Sequence, residues 1–302
     1  MSVKLRQYKN DNFYGDDYHS VRNFLLELDN HNYSFGRWDW RTMLLCSAWE
    51  WADSDGIEKI GIWEEKGKII AIATYDTKFG SVYLLISKKY EKLKEEMFLY
   101  AEENMAKDGR IRILIPDNDL DLQNIAVQNN FFPTQDKEHD SIYPINLEKI
   151  HYSLPHEFKI TSLNENFDLY KYGQVLWRGF NREINGEGHF SFYWNKNSEK
   201  YKKEWNRPNI NLDLKILVVA PNGDFVSHCG MWYDKKSKSV LVEPVATDPA
   251  YRKMGLGKAA VLEGIKRCGE LGAKNAFVCS SQQFYYDIGF RPYTTSTFWK
   301  RK

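Results

Sequence analysis

The sequence predicts an α/β chain made of two tandem domains, and three observations carry that expectation. At 302 residues the chain exceeds what one hydrophobic core usually fills. The order strand, two helices, three strands, helix, strand, helix, strand is written twice. A polar stretch near residues 147–157, containing Pro155, joins the two copies, so the expected domains are 1–148 and 149–302.

Each copy opens with a strand-like start and two helical stretches, at 18–29 and 39–51 in the first and at 167–181 and 198–205 in the second. A hairpin follows: residues 60–75 reverse at 65–67, and residues 217–233 reverse at 221–223. Pro221, Asn222, Gly67 and Gly223 supply the backbone angles that such tight reversals need. Third strands come at 81–86 and 239–246, then helices at 90–106 and 255–271 whose apolar residues recur every three or four positions. Short strands at 111–115 and 276–279, a small helix and an aromatic segment close each copy: Phe131-Phe132-Pro133 against Gly289-Phe290-Arg291-Pro292.

Composition narrows the function. Hydrophobic residues at 42% can fill real cores, and 27% charged residues place the chain in the ordinary globular class. The 42 basic and 41 acidic residues are mixed along the chain, so there is no basic stripe to neutralise a nucleic-acid backbone. Cys46, Cys229, Cys268 and Cys279 are widely spaced, without a C-x-x-C pair or a His at metal-ligand spacing, and neither a metal site nor a disulfide framework is expected. No apolar leader opens the sequence and no stretch reaches the ~18 apolar residues of a membrane span. The expectation is a cytoplasmic monomer or homodimer that binds neither nucleic acid nor membrane. The many aromatic residues suit cores and apolar or cationic pockets equally. Trp38, Trp40, Trp49 and Trp51 are expected on one helix and its packing face.

The copies differ most where the third strand meets its helix. In the second copy Val245-Ala246-Thr247 runs into an Asp248-Pro249 turn, and Arg252-Lys253-Met254-Gly255-Leu256-Gly257-Lys258-Ala259 opens the helix. Glycines let backbone approach a ligand, and the unpaired N–H groups and dipole at a helix start favour a diphosphate. Lys253 and Lys258 add positive charge. The spacing is not that of a Walker loop, and the three glycines of a dinucleotide-binding fingerprint are missing. In the first copy Ser87-Lys88-Lys89-Tyr90 runs from strand to helix with no glycine pair.

Arg252-x-x-Gly255-x-Gly257 resembles the (Arg/Gln)-x-x-Gly-x-(Gly/Ala) signature of the GNAT superfamily of N-acetyltransferases, and Tyr285-Tyr286-Asp287-Ile288-Gly289-Phe290 resembles its Tyr-x-x-x-Gly-Phe segment. The six-residue signature alone would arise by chance on the order of 0.1–0.3 times in a chain this long. Its place between a strand and a helix, roughly thirty residues before the second segment, carries the resemblance. The specific motifs cover about the last ninety residues and the rest matches by pattern.

The resemblance implies two tandem GNAT-like domains, each a mixed, mainly antiparallel sheet flanked by helices, the first a degenerate copy, as in the class that includes mycothiol synthase-like enzymes. It further implies acetyl-CoA as acetyl donor, held by Val245, Ala246 and Thr247 along the pantetheine arm and by residues Arg252, Lys253, Met254, Gly255, Leu256, Gly257, Lys258 and Ala259 around the diphosphate. By the same resemblance Tyr285 is the acid that protonates the departing sulfur, with Tyr286 its competitor, and a backbone N–H near Val245 stabilises the oxyanion.

Pro244 cannot donate to a ladder, which fits a strand that splays or bulges there. Glu243, an acid in an otherwise apolar strand, is the candidate for collecting the amine proton, although strand alternation leaves its face open. Asp248-Pro249 reads as turn chemistry. Cys229, His228 and Cys279 have no triad partners, and packing is the expected role of such cysteines. Glu183, Glu187 and His189 lie in a glycine-rich loop where they either meet a cationic amine or face solvent, and Phe190, Phe192, Tyr193 and Trp194 wall a pocket or fill a core. The expected activity is transfer of an acetyl group to a primary amine of a small molecule by direct attack in a ternary complex. Acetylation of a peptide or protein amine, and non-catalytic acetyl-CoA binding for regulation, are the competing readings.

Overall fold

The computed structural model describes residues 2–12, 14–28, 33–46 and 52–301. The first run of elements is β1 (Lys4–Gln7), α1 (Asp16–Leu28), α2 (Phe35–Cys46), β2 (Gly61–Glu65), β3 (Lys68–Tyr75), β4 (Ser81–Ile86), α3 (Lys94–Asn104), β5 (Arg112–Pro116), α4 (Leu120–Gln128) and β6 (Phe131–Pro144). The second is β7 (Lys159–Ser162), α5 (Leu169–Gly179), α6 (Phe190–Trp205), β8 (Lys215–Val219), β9 (Phe225–Tyr233), β10 (Ser239–Thr247), α7 (Leu256–Glu270), β11 (Asn275–Cys279), α8 (Gln283–Ile288) and β12 (Arg291–Arg301). The repeated order read from the sequence is the order observed.

The chain forms two compact units, and their boundary differs from 148/149. The first holds the described residues of Met1–Ser141, Cys279–Ser281 and Pro292–Lys302; the second holds Ile142–Val278 and Gln282–Arg291. The last strand therefore leaves the copy that encodes it: β12 lies between β5 and β6 in the first unit, whose strand order is β1-β2-β3-β4-β5-β12-β6. Phe298 and Trp299 of β12 stand opposite Leu114 and Ile113 of β5. Hydrophobic alternation identifies such a strand but not the sheet it joins, so the sequence pattern assigned it to the wrong unit.

In the first unit the β2–β3 turn places Lys66 at φ 54° and Gly67 at φ 72°, the two left-handed residues of a type I′ reversal. Trp38 on α2 is buried and stacks on Tyr18 at 6.0 Å, and Tyr18 donates to Asp39, which also pairs with Arg22 at 2.8 Å. Trp40 is buried too, whereas Trp49 and Trp51 fall outside the described residues. The helix expected over 39–51 begins at Phe35.

In the second unit the strand order is β11-β10-β9-β8-β7, antiparallel except for the parallel β10–β11 pair. One face packs on α7 through Ile216, Val218, Met231, Val242, Leu256, Ala260 and Ile265. Gly264 allows this close approach, since a Cβ there would come within 2.3 Å of Met231 Cε. The other face meets α5 through Tyr172, Val175, Leu217 and Phe225. The helix expected over 198–205 is the end of α6, which starts eight positions earlier behind its cap His189; the polar Asn-Lys-Asn run hid its first turns.

His228 on β9 is fully buried beneath Tyr172, its ring 5.0 Å away, and Nδ1 donates to Ile216 O at 2.9 Å. Burial, with the Lys215 charge adding to it, pushes its pKa down to about 3. The unfolded chain takes up a proton near the usual 6.5 and the folded chain does not until about 3, so this stabilisation is complete above pH 6.5 and lost as pH falls. Urea unfolding should show a loss on the order of 2–3 kcal/mol between about pH 6.5 and 4.5, and His228→Gln should remove most of that slope.

Candidate active site

Strand β10 breaks in its middle. Its register with β9 runs from Val240↔Tyr233 to Val242↔Met231, shifts, and resumes at Val245↔Cys229. The shift falls on Glu243 and Pro244, where the sequence called for a bulge. Gly230 on β9 makes room for it: a Cβ there would lie 2.5 Å from Glu243 O and 3.0 Å from Pro244 Cδ. Trp232 Nε1 donates to Glu243 O at 2.7 Å and fixes the kinked carbonyl. Gly230 was missed from sequence, although a glycine inside a strand is a usual sign of a bulge or close approach.

On the opposite edge the parallel ladder with β11 covers Ser239↔Asn275, Val240↔Ala276 and Leu241↔Phe277, then ends. Beyond Leu241 the two strands part. Asp248 N–H donates to Val226 O on β9 at 3.0 Å. Antiparallel alternation then turns the backbone of Ala246 toward β9 and the N–H groups of Val245 and Thr247 toward the open edge. An extended chain laid in the gap finds a row of main-chain donors and acceptors.

The turn after β10 is shaped as read. Asp248 accepts from Ala250 N–H at 2.9 Å, capping the single turn Pro249–Tyr251. Lys253 and Gly255 then take left-handed φ values of 66° and 79°. Helix α7 makes its first intrahelical bond from Ala259 N–H to Gly255 O at 3.0 Å, leaving the N–H groups of Leu256, Gly257 and Lys258 without a helical acceptor. A Cβ on Gly257 would meet Thr247 Oγ1 at 3.0 Å and Phe284 Cζ at 3.3 Å, whereas one on Gly255 would meet nothing within 4 Å. The first glycine is needed for its backbone angle and the second for space. Lys253, Met254 and Lys258 are exposed, and Leu256 and Ala259 are buried under the helix. The arrangement suits an anion at the helix start.

Tyr285 on α8 is buried, its ring 5.1 Å from Phe284 and 5.6 Å from Phe290. Burial raises its pKa well above the ordinary phenol range, and Cys229 and Glu243 push the same way. Glu243 at the break is half-buried, and its charge adds to the upward push on Tyr285. Tyr286 is half-buried. Cys229 follows the packing reading, burial holding its thiol far above the usual value, and burial pushes Cys268 up to about 12. Cys279, expected to pack as well, is exposed at the end of β11. His228, held neutral down to about pH 3, is too weak a base for amine chemistry.

The 180–189 loop is built rather than loose. Glu183 accepts from Phe190 N–H at 3.2 Å and pairs with Arg178 at 3.3 Å, while His189 Nδ1 accepts from Ser191 N–H at 3.2 Å. Phe190 is core and Phe192 is exposed. Between this loop and the β10–α7 turn lies a cleft of about 440 Å³, lined by carboxylates of Glu183, Asp224 and Asp248 against the single cation Arg178. In the first unit, β4 is followed by a tight 3-10 turn, Lys88–Leu93, whose N-cap Ser87 makes no side-chain bond, and no glycine opens α3.

A parted strand pair, a glycine-opened helix at the parting and a buried phenol beside it suit an extended ligand that ends in an anion. The match to known proteins gives the family. Residues 180–290 match the model of the Acetyltransferase (GNAT) family, and this segment is a GNAT acetyltransferase domain. No curated protein sequence matches the chain significantly. Among solved structures, the chain is similar to a GCN5-related N-acetyltransferase from Sphaerobacter thermophilus (12% identity, TM-score 0.55, covering 99% of this chain and 95% of that one). It is also similar to a tandem GNAT protein from the clavulanic acid biosynthesis pathway (9% identity, TM-score 0.55, 99% and 98% covered). A third likeness is to a GNAT-family acetyltransferase from Colwellia psychrerythraea (10% identity, TM-score 0.54, 99% and 100% covered). The fold is that of tandem GNAT proteins, a mixed sheet flanked by helices in each unit. Among the described residues no helix is long and apolar enough to cross a membrane.

Proposed function

We propose that the second unit transfers the acetyl group of acetyl-CoA to a primary amine of a small molecule, by direct attack in a ternary complex. The observation that carries this reading is the parting of β10 from β11 beyond Leu241, directly upstream of the Gly255–Gly257 helix start. When bound, acetyl-CoA supplies the activated acetyl thioester. Backbone of Val245 and Thr247, the positions facing the open edge, lines the pantetheine arm, Ala246 being turned to β9, and the N–H groups of Leu256, Gly257 and Lys258 hold the diphosphate. The Val245 N–H, facing the open edge, stabilises negative charge on the carbonyl oxygen in the transition state. Tyr285 gives its proton to the leaving sulfur, and Glu243 collects the amine proton directly or through water.

The proposed acceptor is a cationic small amine. The cleft beside the β10–α7 turn sets Glu183, Asp224 and Asp248 against Arg178, an acidic excess that draws positive charge to this end of the unit, while Glu243, Val245 and Tyr285 lie outside its lining. Calorimetry with acetyl-CoA and an assay of free-thiol release across a panel of polyamines, amino sugars, amino-acid amines and basic peptides test the reading. Binding together with thiol release on small cationic amines is expected. Release only with peptides would move the acceptor to the peptide class, and binding without release on any amine would make the protein a sensor of acetyl-CoA. No heat from acetyl-CoA would overturn the proposal.

A further inference from the structure

We propose that Arg252 is a positioning residue that ties the diphosphate turn to the α5–α6 loop; the proposal rests on the functional reading above. Its guanidinium is committed in three directions: Nε donates to Thr247 O at 3.2 Å, and one terminal nitrogen donates to Gly179 O at 2.8 Å and to Asn181 Oδ1 at 2.7 Å. Two of these acceptors sit at the end of α5, where unpaired carbonyls and the negative end of the helix dipole favour a cation. Asn181 adopts φ 62°, a left-handed conformation that asparagine tolerates at a helix end and that aims its amide at Arg252.

The seat of this tie is itself close-packed. A Cβ on Gly179 would lie 2.7 Å from Ala246 Cβ and 3.0 Å from Thr247 N, so the end of α5 presses on the stretch of β10 that borders the open edge. From the preceding position Arg178 reaches Asp248 at 3.5 Å and Glu183 at 3.3 Å. The cleft lies between the segments so joined: Asp248, Pro249, Ala250 and Tyr251 on one wall, Arg178, Glu183 and Ile184 on the other. Arg252 thus holds the two walls of this cleft together from the turn side. Its guanidinium serves the loop, and the helix N–H groups serve the diphosphate.

Amide hydrogen exchange and acetyl-CoA calorimetry on wild type, Arg252→Ala, Arg252→Lys and Asn181→Ala test this, with circular dichroism to confirm folding. In Arg252→Ala, exchange across residues 180–189 should accelerate about tenfold while the acetyl-CoA Kd stays within about threefold, and KM for the amine should rise about tenfold more than kcat falls. Asn181→Ala should show the same pattern more weakly although Arg252 is intact, and the double variant should be no worse than Arg252→Ala. Lysine, lacking the fork, should restore only part of the protection. A Kd for acetyl-CoA weakened tenfold or more in Arg252→Ala with loop exchange unchanged would overturn the proposal, as would a neutral Asn181→Ala. Failure of wild type to bind acetyl-CoA would sink the functional reading instead, and the exchange comparison would still report on the tie.

Discussion

Replacing Gly257 with glutamate is expected to abolish acetyl-CoA binding while leaving the second unit folded. Gly257 is buried between Thr247 and Phe284, and even a Cβ would force both to shift by a few tenths of an ångström. A carboxylate would then stand at the N-terminus of α7, among the N–H groups proposed to hold the diphosphate, and repel a ligand of like charge. The two effects together should weaken binding more than about 100-fold, or about 3 kcal/mol. Calorimetry checks this, and Gly257→Ala separates the terms: it adds the Cβ without the charge and should cost about tenfold or less. Unimpaired binding by the glutamate variant would mean that the diphosphate lies elsewhere.

Tyr285→Phe is expected to lower kcat by about 10²–10³-fold, with the acetyl-CoA Kd changed by less than about twofold. Phenylalanine keeps the ring against Phe284 and Phe290, so only the hydroxyl is lost. The raised pKa sets the pH dependence. A group displaced upward stays protonated to higher pH, so Tyr285 remains a competent acid through the neutral and mildly alkaline range. Wild-type kcat should show no descending limb from this residue below about pH 10. A limb near pH 8–9 that vanishes in the phenylalanine variant would assign Tyr285 to the opposite proton transfer, and an unchanged kcat would remove it from the reaction.

Much of the architecture was legible because hydrophobic periodicity and turn chemistry are local. The Lys66-Gly67 reversal, the Asp248-Pro249 cap and the Gly255-x-Gly257 helix start each follow from the backbone angles that their residues permit. Pro244 marked the break in β10 for the same reason. What escaped was the non-local part. Gly230 and Gly179 matter only because Glu243 and Ala246 come against them from other elements. The commitment of Arg252 to Asn181 spans 71 positions. Cap His189 and the start of α6 were obscured by a polar segment whose helicity depends on packing of Phe190 and Tyr201.

The strand order of the first unit has a consequence for how the chain comes into being. Its sheet lacks an interior member until β12, which follows the second unit in sequence, has been synthesised and has inserted beside β5. Translation therefore delivers most of that unit's apolar surface long before the piece that seals it, and the earlier portion must wait, incomplete, until residues 291–301 emerge. Severing the gene between the two copies yields one product with a gap in its sheet and another with an orphan strand.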